Sequence, residues 1–96
     1  MTVRIGHHSF DDVSYDANGD VLYLSAGPPA EAGAGDGTPE GHFVRFGEDG
    51  QVVGVTLVNA RWLIDRDGKL TVTLPGEAAT ELDAEALAPA LTSVGR

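Results

Sequence analysis

Three stretches of this chain share one local grammar, and it restricts the fold more than any other feature. They are residues 15–21 (YDANGDV), 46–52 (FGEDGQV) and 64–70 (IDRDGKL). In each, a large apolar residue leads into a short polar segment ending in Asn-Gly or Asp-Gly, and an alternating apolar run follows one polar residue later. Glycine supplies the positive φ that a tight hairpin turn needs, and Asn or Asp tolerates the position before it. Three β-hairpins are expected, turning at Gly19, Gly50 and Gly68. These glycines stand 31 and 18 residues apart, so the grammar reflects shared turn chemistry and not a repeat.

The strands predicted around these turns cover residues 10–16, 21–26, 42–46, 51–59, 61–65 and 69–74, with a further short strand at 2–5. Within 51–59, Val53, Val55 and Leu57 fall on one face, while Val52, Gly54, Thr56 and Val58 fall on the other. The first face belongs to the core; the second is covered in part, by a bulky neighbour or by a second subunit. Strand 21–26 is apolar on both faces and reads as central. From Gly27 through Gly41 there are five glycines and three prolines with no large apolar anchor, so 27–41 is predicted to be a mobile loop. Gly33, Gly35 and Gly37 in it are not a phosphate loop, because Thr38 and Pro39 follow where a helix should open and no lysine is near.

After Pro75 and Gly76 the pattern turns helical. Asp83 is placed as an N-cap between Leu82 and Leu87, the spacing of a hydrophobic staple. Pro89 is expected to end or kink this helix near Ala88, leaving Leu91 and Val94 to fold onto the sheet. The fold class that results is mainly β: an antiparallel sheet of three hairpins, about six strands, with one short C-terminal helix.

With 96 residues, 1–96 makes a single domain. Val, Leu, Ile and Phe form a quarter of it, enough for a folded core. No cysteine is present, which excludes disulfides and thiolate zinc sites. The absence of a long apolar run or a signal-like start predicts a cytoplasmic protein away from membranes. A net charge of −9 opposes binding to nucleic acid and to anionic lipid. Residues 42–76 are neutral in sum, so the acidity lies in the flanking segments, as a solubilising surface or as a face for a basic protein partner.

Candidate chemistry is sparse. His7, His8 and His42 are the three histidines, and neighbours in a strand point to opposite faces, so at most one of His7 and His8 is expected to join His42. Zinc there would need Asp11, Asp12 or Glu40 as further ligands. Asp11-Asp12 and Glu48-Asp49 sit beside turns, where carboxylates are common for local reasons. Ser9, Ser14, Ser25 and Ser93 lack a nucleophile elbow. No catalytic, cofactor-binding or metal residue is assigned on these grounds, and no cofactor is expected. Trp62, beside Arg61, reads as core or dimer seam.

One resemblance extends over residues 12–60. Val13-Ser-Tyr15-Asp16, Asp20-Val-Leu-Tyr-Leu24, Phe43-Val-Arg-Phe46 and the run from Asp49-Gly50 to Ala60 form a connected pattern. It resembles the small bacterial family catalogued as domain of unknown function 2283. Asn59 stands where that family often has an acidic residue, and 61–96 is an appended hairpin and helix. The resemblance implies a small antiparallel β unit with no catalytic residues to transfer, and an antitoxin-like or regulatory role.

Taken together, these features favour a non-enzymatic protein-interaction module, a homodimer using an acidic or edge-strand surface. The alternatives are a small-molecule-binding β domain with a pocket under the 27–41 loop, and a metal-dependent enzyme using His42.

Overall fold

Eleven elements form two layers in this computed structural model, which describes residues 2–27 and 34–92. The first layer is a five-stranded antiparallel sheet built from β3 (Asp12–Asp16), β4 (Val21–Ser25), β5 (Ala34–Gly37), β6 (Phe43–Phe46) and β7 (Val52–Val58), in the spatial order β3-β4-β7-β6-β5. The second contains the hairpin of β1 (Val3–Ile5) and β2 (His8–Phe10), the pair β8 (Lys69–Val72) and β9 (Thr80–Asp83), and the helices α1 (Ala60–Asp67) and α2 (Ala84–Leu91). The core lies between them. Tyr15, Leu22, Leu24, Val44, Val55 and Leu57 come from the large sheet, and Ile5, Phe10, Leu70, Val72, Leu74 and Leu87 from the second layer.

Two of the three predicted hairpins are present. β3 and β4 pair across the Asn18-Gly19 turn, with Tyr15 opposite Leu22, and β6 and β7 pair across the turn at Gly50, whose φ is 82°. Gly19 does not carry the positive φ of its turn; Asp20, at 55°, carries it instead. The alternation read in 51–59 holds at Val55 and Leu57, which are buried, and β4 is central between β3 and β7. It fails at Val53, because a register shift between Arg45 and Phe46 sets Phe46 opposite Val52, and it is Val52 that packs against the core.

The third hairpin is not one. Residues 61–65, expected as a strand, lie in helix α1, and Gly68 is its left-handed C-cap at φ 75°, its amide donating to the Ile64 carbonyl at 2.8 Å. An Asp-Gly pair followed by an apolar run serves a hairpin turn and a helix C-cap equally, because both need one residue at positive φ. The helical spacing of Ala60, Leu63 and Ile64 buries one side of α1, and five residues are too few to separate that spacing from alternation. β8 therefore pairs with β9, in a register from Lys69 opposite Asp83 to Val72 opposite Thr80.

Two further expectations need correction. The segment 27–41 is not loop throughout, since Ala34–Gly37 pairs with β6 as β5; its central part, 28–33, lies outside the described residues. In this pairing Gly35 stands opposite Arg45 and Gly37 opposite Phe43. Second, there are two helices among the described residues, and α2 continues past Pro89 to Leu91. Its start is as predicted: the Asp83 carboxylate accepts the Ala86 amide at 2.7 Å, with Leu82 and Leu87 buried on either side of the cap. Leu91 packs into the core, while Val94 lies outside the described residues.

Candidate functional site

The inner face of the large sheet is covered, and among the described residues the outer face is open. Along one row of the outer face Ser14, Tyr23, Thr56 and Phe43 stand side by side on β3, β4, β7 and β6. Tyr23 is 46% exposed and Phe43 57%. Next to the row, Arg45 lies flat over Gly54, reaching Ser25 Oγ at 3.4 Å; a Cβ on Gly54 would come within 2.6 Å of its guanidinium. Gly54 thus makes the groove in which an arginine crosses the sheet. The acidic residues of this face are Asp12 and Asp16, on the outermost strand β3 opposite Ser25 and Val21.

A second arrangement forms where β3, β4 and α1 meet. Asn59 precedes α1 in the left-handed region and offers no side-chain cap. Asp20 caps the helix instead: its backbone carbonyl accepts the Ala60 amide at 3.2 Å, and its carboxylate accepts the amides of Arg61 (2.8 Å) and Trp62 (3.0 Å) and the Tyr15 hydroxyl (2.7 Å). Desolvation pushes the Asp20 carboxyl upward, but these donors outweigh it and hold its pKa below the usual aspartate value. Burial, with Asp20 accepting its proton, raises the pKa of Tyr15. An open cavity of about 300 Å³ lies here, lined by Tyr15, Ala17, Asp20, Arg61, Trp62 and Asp65. Within it the Tyr15 hydroxyl and the amides of Arg61 and Trp62 bond to Asp20, so these groups serve the cap of α1. Trp62, expected in the core or a seam, is 54% exposed with the Arg66 guanidinium 4.5 Å from its ring centre.

The histidines are arranged differently from the expectation. His42 is 1% exposed; its Nδ1 accepts the Val58 amide at 3.1 Å, which puts the ring proton on Nε2, donating to the Thr71 carbonyl at 3.2 Å. Burial lowers its pKa and keeps the ring neutral, against the opposing pull of the Thr71 carbonyl and Glu40. With both nitrogens on backbone, His42 ties the end of β7 to β8 and has no lone pair for a metal, so the reading of His42 as a metal ligand does not fit. Glu40 turns to Thr73, accepting its amide at 3.0 Å and its hydroxyl at 2.7 Å.

His7 and His8 do not point apart. They occupy the end of the β1-β2 hairpin, whose two-residue turn of Gly6 and His7 reverses the chain, so the strand rule does not govern His7. Their ring centres are 4.2 Å apart, and both face Glu77: His8 Nε2 is 2.7 Å from Glu77 Oε2, and His7 Nδ1 is 3.9 Å from Oε1. Glu77 is 69 residues from His8, and no local signal in the sequence joins them. Among the other weighed residues, Asp49 caps the amide of Gln51 within its own turn and Ser25 holds Arg45, while Ser93 lies outside the described residues.

No protein-family model matches the chain, and no curated protein or solved structure matches it either. Among the described residues, no helix is long and apolar enough to cross a membrane.

Proposed function

We propose that this chain is a non-enzymatic interaction module that assembles as a homodimer through the outer face of its five-stranded sheet. The observation that carries the reading is the open row Tyr23-Thr56-Phe43, two aromatic rings presented on a sheet whose other face is already covered. A second copy fits it on charge. Chains of net charge −9 repel, and this face sets Arg45 on β6 and the acidic residues on β3, with two strands between, Asp12 in the same cross-strand row as Arg45 and Asp16 beyond the aromatic row. A two-fold axis running along the strands brings each Arg45 over the partner's acidic strand while the two aromatic rows meet.

The family resemblance belongs to the same proposal. Residues 12–60 contain every strand of the large sheet, from Asp12 to Val58, so the family-like pattern coincides with a complete structural unit. On that reading the chain acts in an antitoxin-like or regulatory role, through binding and without chemistry of its own. Exposed Asp11, beside β3, extends the acidic edge that a basic protein partner would meet. Light scattering on the full chain tests the assembly. A mass of twice 10.0 kDa is expected, and a 10.0 kDa species persisting at high concentration overturns the proposal.

A further inference from the structure

We infer that His7, His8 and Glu77 form a binding site for a divalent transition-metal ion of the zinc class, clamping the β1-β2 turn to the β8-β9 connection. Among the described residues, this is the trio of His and carboxylate side chains whose ligand atoms all lie within 4.8 Å of one another. A tetrahedral zinc with ligand bonds of about 2.0–2.1 Å holds its donor atoms roughly 3.3 Å apart. The observed 2.7 Å and 3.9 Å between histidine nitrogens and carboxylate oxygens straddle that value, so small side-chain rotations suffice. Imidazole and carboxylate together suit zinc, and three protein donors leave a fourth position for water.

Both halves of the site are held by rigid turns. Gly6, at φ 61°, opens a two-residue turn in which Ile5 pairs with His8, fixing the two imidazoles on adjacent residues. Leu74-Pro75-Gly76-Glu77 is a second tight turn, with Gly76 at φ 75° and the Glu77 amide donating to the Leu74 carbonyl at 3.0 Å. The two turns are in close contact: a Cβ added to Gly6 would sit 3.4 Å from Glu77 Oε1. The carboxylate thus lies over the turn that carries the histidines, and Gly6 is called for by its positive φ. The donors are therefore gathered by backbone before any ion arrives, which lowers the ordering entropy lost on binding. When His8 ligates through Nε2, its ring proton moves to Nδ1, and the hydrogen bond to Glu77 is replaced by a shared ion.

The test uses the full chain without a histidine tag, stripped by a chelator and titrated calorimetrically with Zn²⁺. One equivalent per chain is expected, with Co²⁺ at the same site giving the visible absorption of a four-coordinate ion. His7→Ala and Glu77→Gln should each weaken zinc binding about tenfold or more. Glu48→Gln, an acidic residue at the β6-β7 turn, should leave it unchanged. His7 has an 80% exposed side chain, so His7→Ala tests the site with little risk to the fold. Zinc should raise the melting temperature of the wild type and not of His7→Ala. Absence of saturable uptake, or uptake that survives both His7→Ala and Glu77→Gln, overturns the inference.

Discussion

Asp20 caps a helix that begins 40 residues after it in the chain: its Oδ2 accepts the amide of Trp62 at 3.0 Å while Oδ1 takes that of Arg61 at 2.8 Å. The β-turn between β3 and β4 and the start of α1 are thereby one structural joint. Asp20→Ala should destabilise the protein by about 1–2 kcal/mol, the usual cost of a lost N-cap, and Asp20→Asn by less because one amide acceptor survives. Urea unfolding of the two variants checks the order.

Acid should act in two stages. His42 has a lowered pKa when folded, so the unfolded chain takes up its proton first, and stability falls as pH drops below the ordinary histidine value of about 6.5. Asp20 and Glu40 are also lowered in the fold, so their contribution is complete above the unfolded carboxylate range of about 4 and is lost as pH falls through their folded values. Melting temperature measured from pH 8 to pH 3 should show both limbs, and Asp20→Asn should flatten the lower one.

Replacing His42 by Leu should cost roughly 3 kcal/mol, because the Val58 amide and the Thr71 carbonyl lose their partner inside the protein. His42→Asn can accept from Val58 without reaching Thr71, and should fall between leucine and wild type. Denaturant titration at pH 8, where His42 is neutral in both states, isolates this effect from protonation.

The glycines should separate by backbone conformation. Gly50→Val and Gly68→Val each place a β-branched residue at φ 82° and 75°, and should cost on the order of 1–2 kcal/mol. Gly54→Ala meets only the far end of Arg45, which can swing away, so its melting temperature should barely change. Equal melting of Gly50→Val, Gly68→Val and the wild type would contradict the turn and cap assignments.

Phe43→Asp places a charge at the end of the open aromatic row and, on the proposed assembly, should convert the dimer to a monomer. The side chain is 57% exposed and points away from the core, so the far-ultraviolet circular dichroism should be unchanged. Sedimentation analysis of Phe43→Asp beside Glu48→Gln distinguishes loss of the interface from a general effect of surface charge.

Alternation and turn chemistry made β3, β4, β6 and β7 of the large sheet legible, and missed β5, which has neither an apolar alternation nor a hairpin signal. Val55 and Leu57 had to share a face because the strand period is two, and Gly50 had to turn the chain because its neighbours on either side read as strands. The Asp83 cap was equally local, needing only Leu82, Leu87 and three residues of spacing. Gly68 shows where local reading ends, since positive φ serves a helix cap as well as a hairpin, and packing of Ala60 and Ile64 against the core decides between them. The joining of Asp20 to α1, the bonding of His42 to two strands and the meeting of His7 and His8 with Glu77 depend on segments tens of residues apart in the chain. Short-range preferences fix φ, ψ and the side-chain period, whereas such meetings follow from how the two layers pack, which no local window contains.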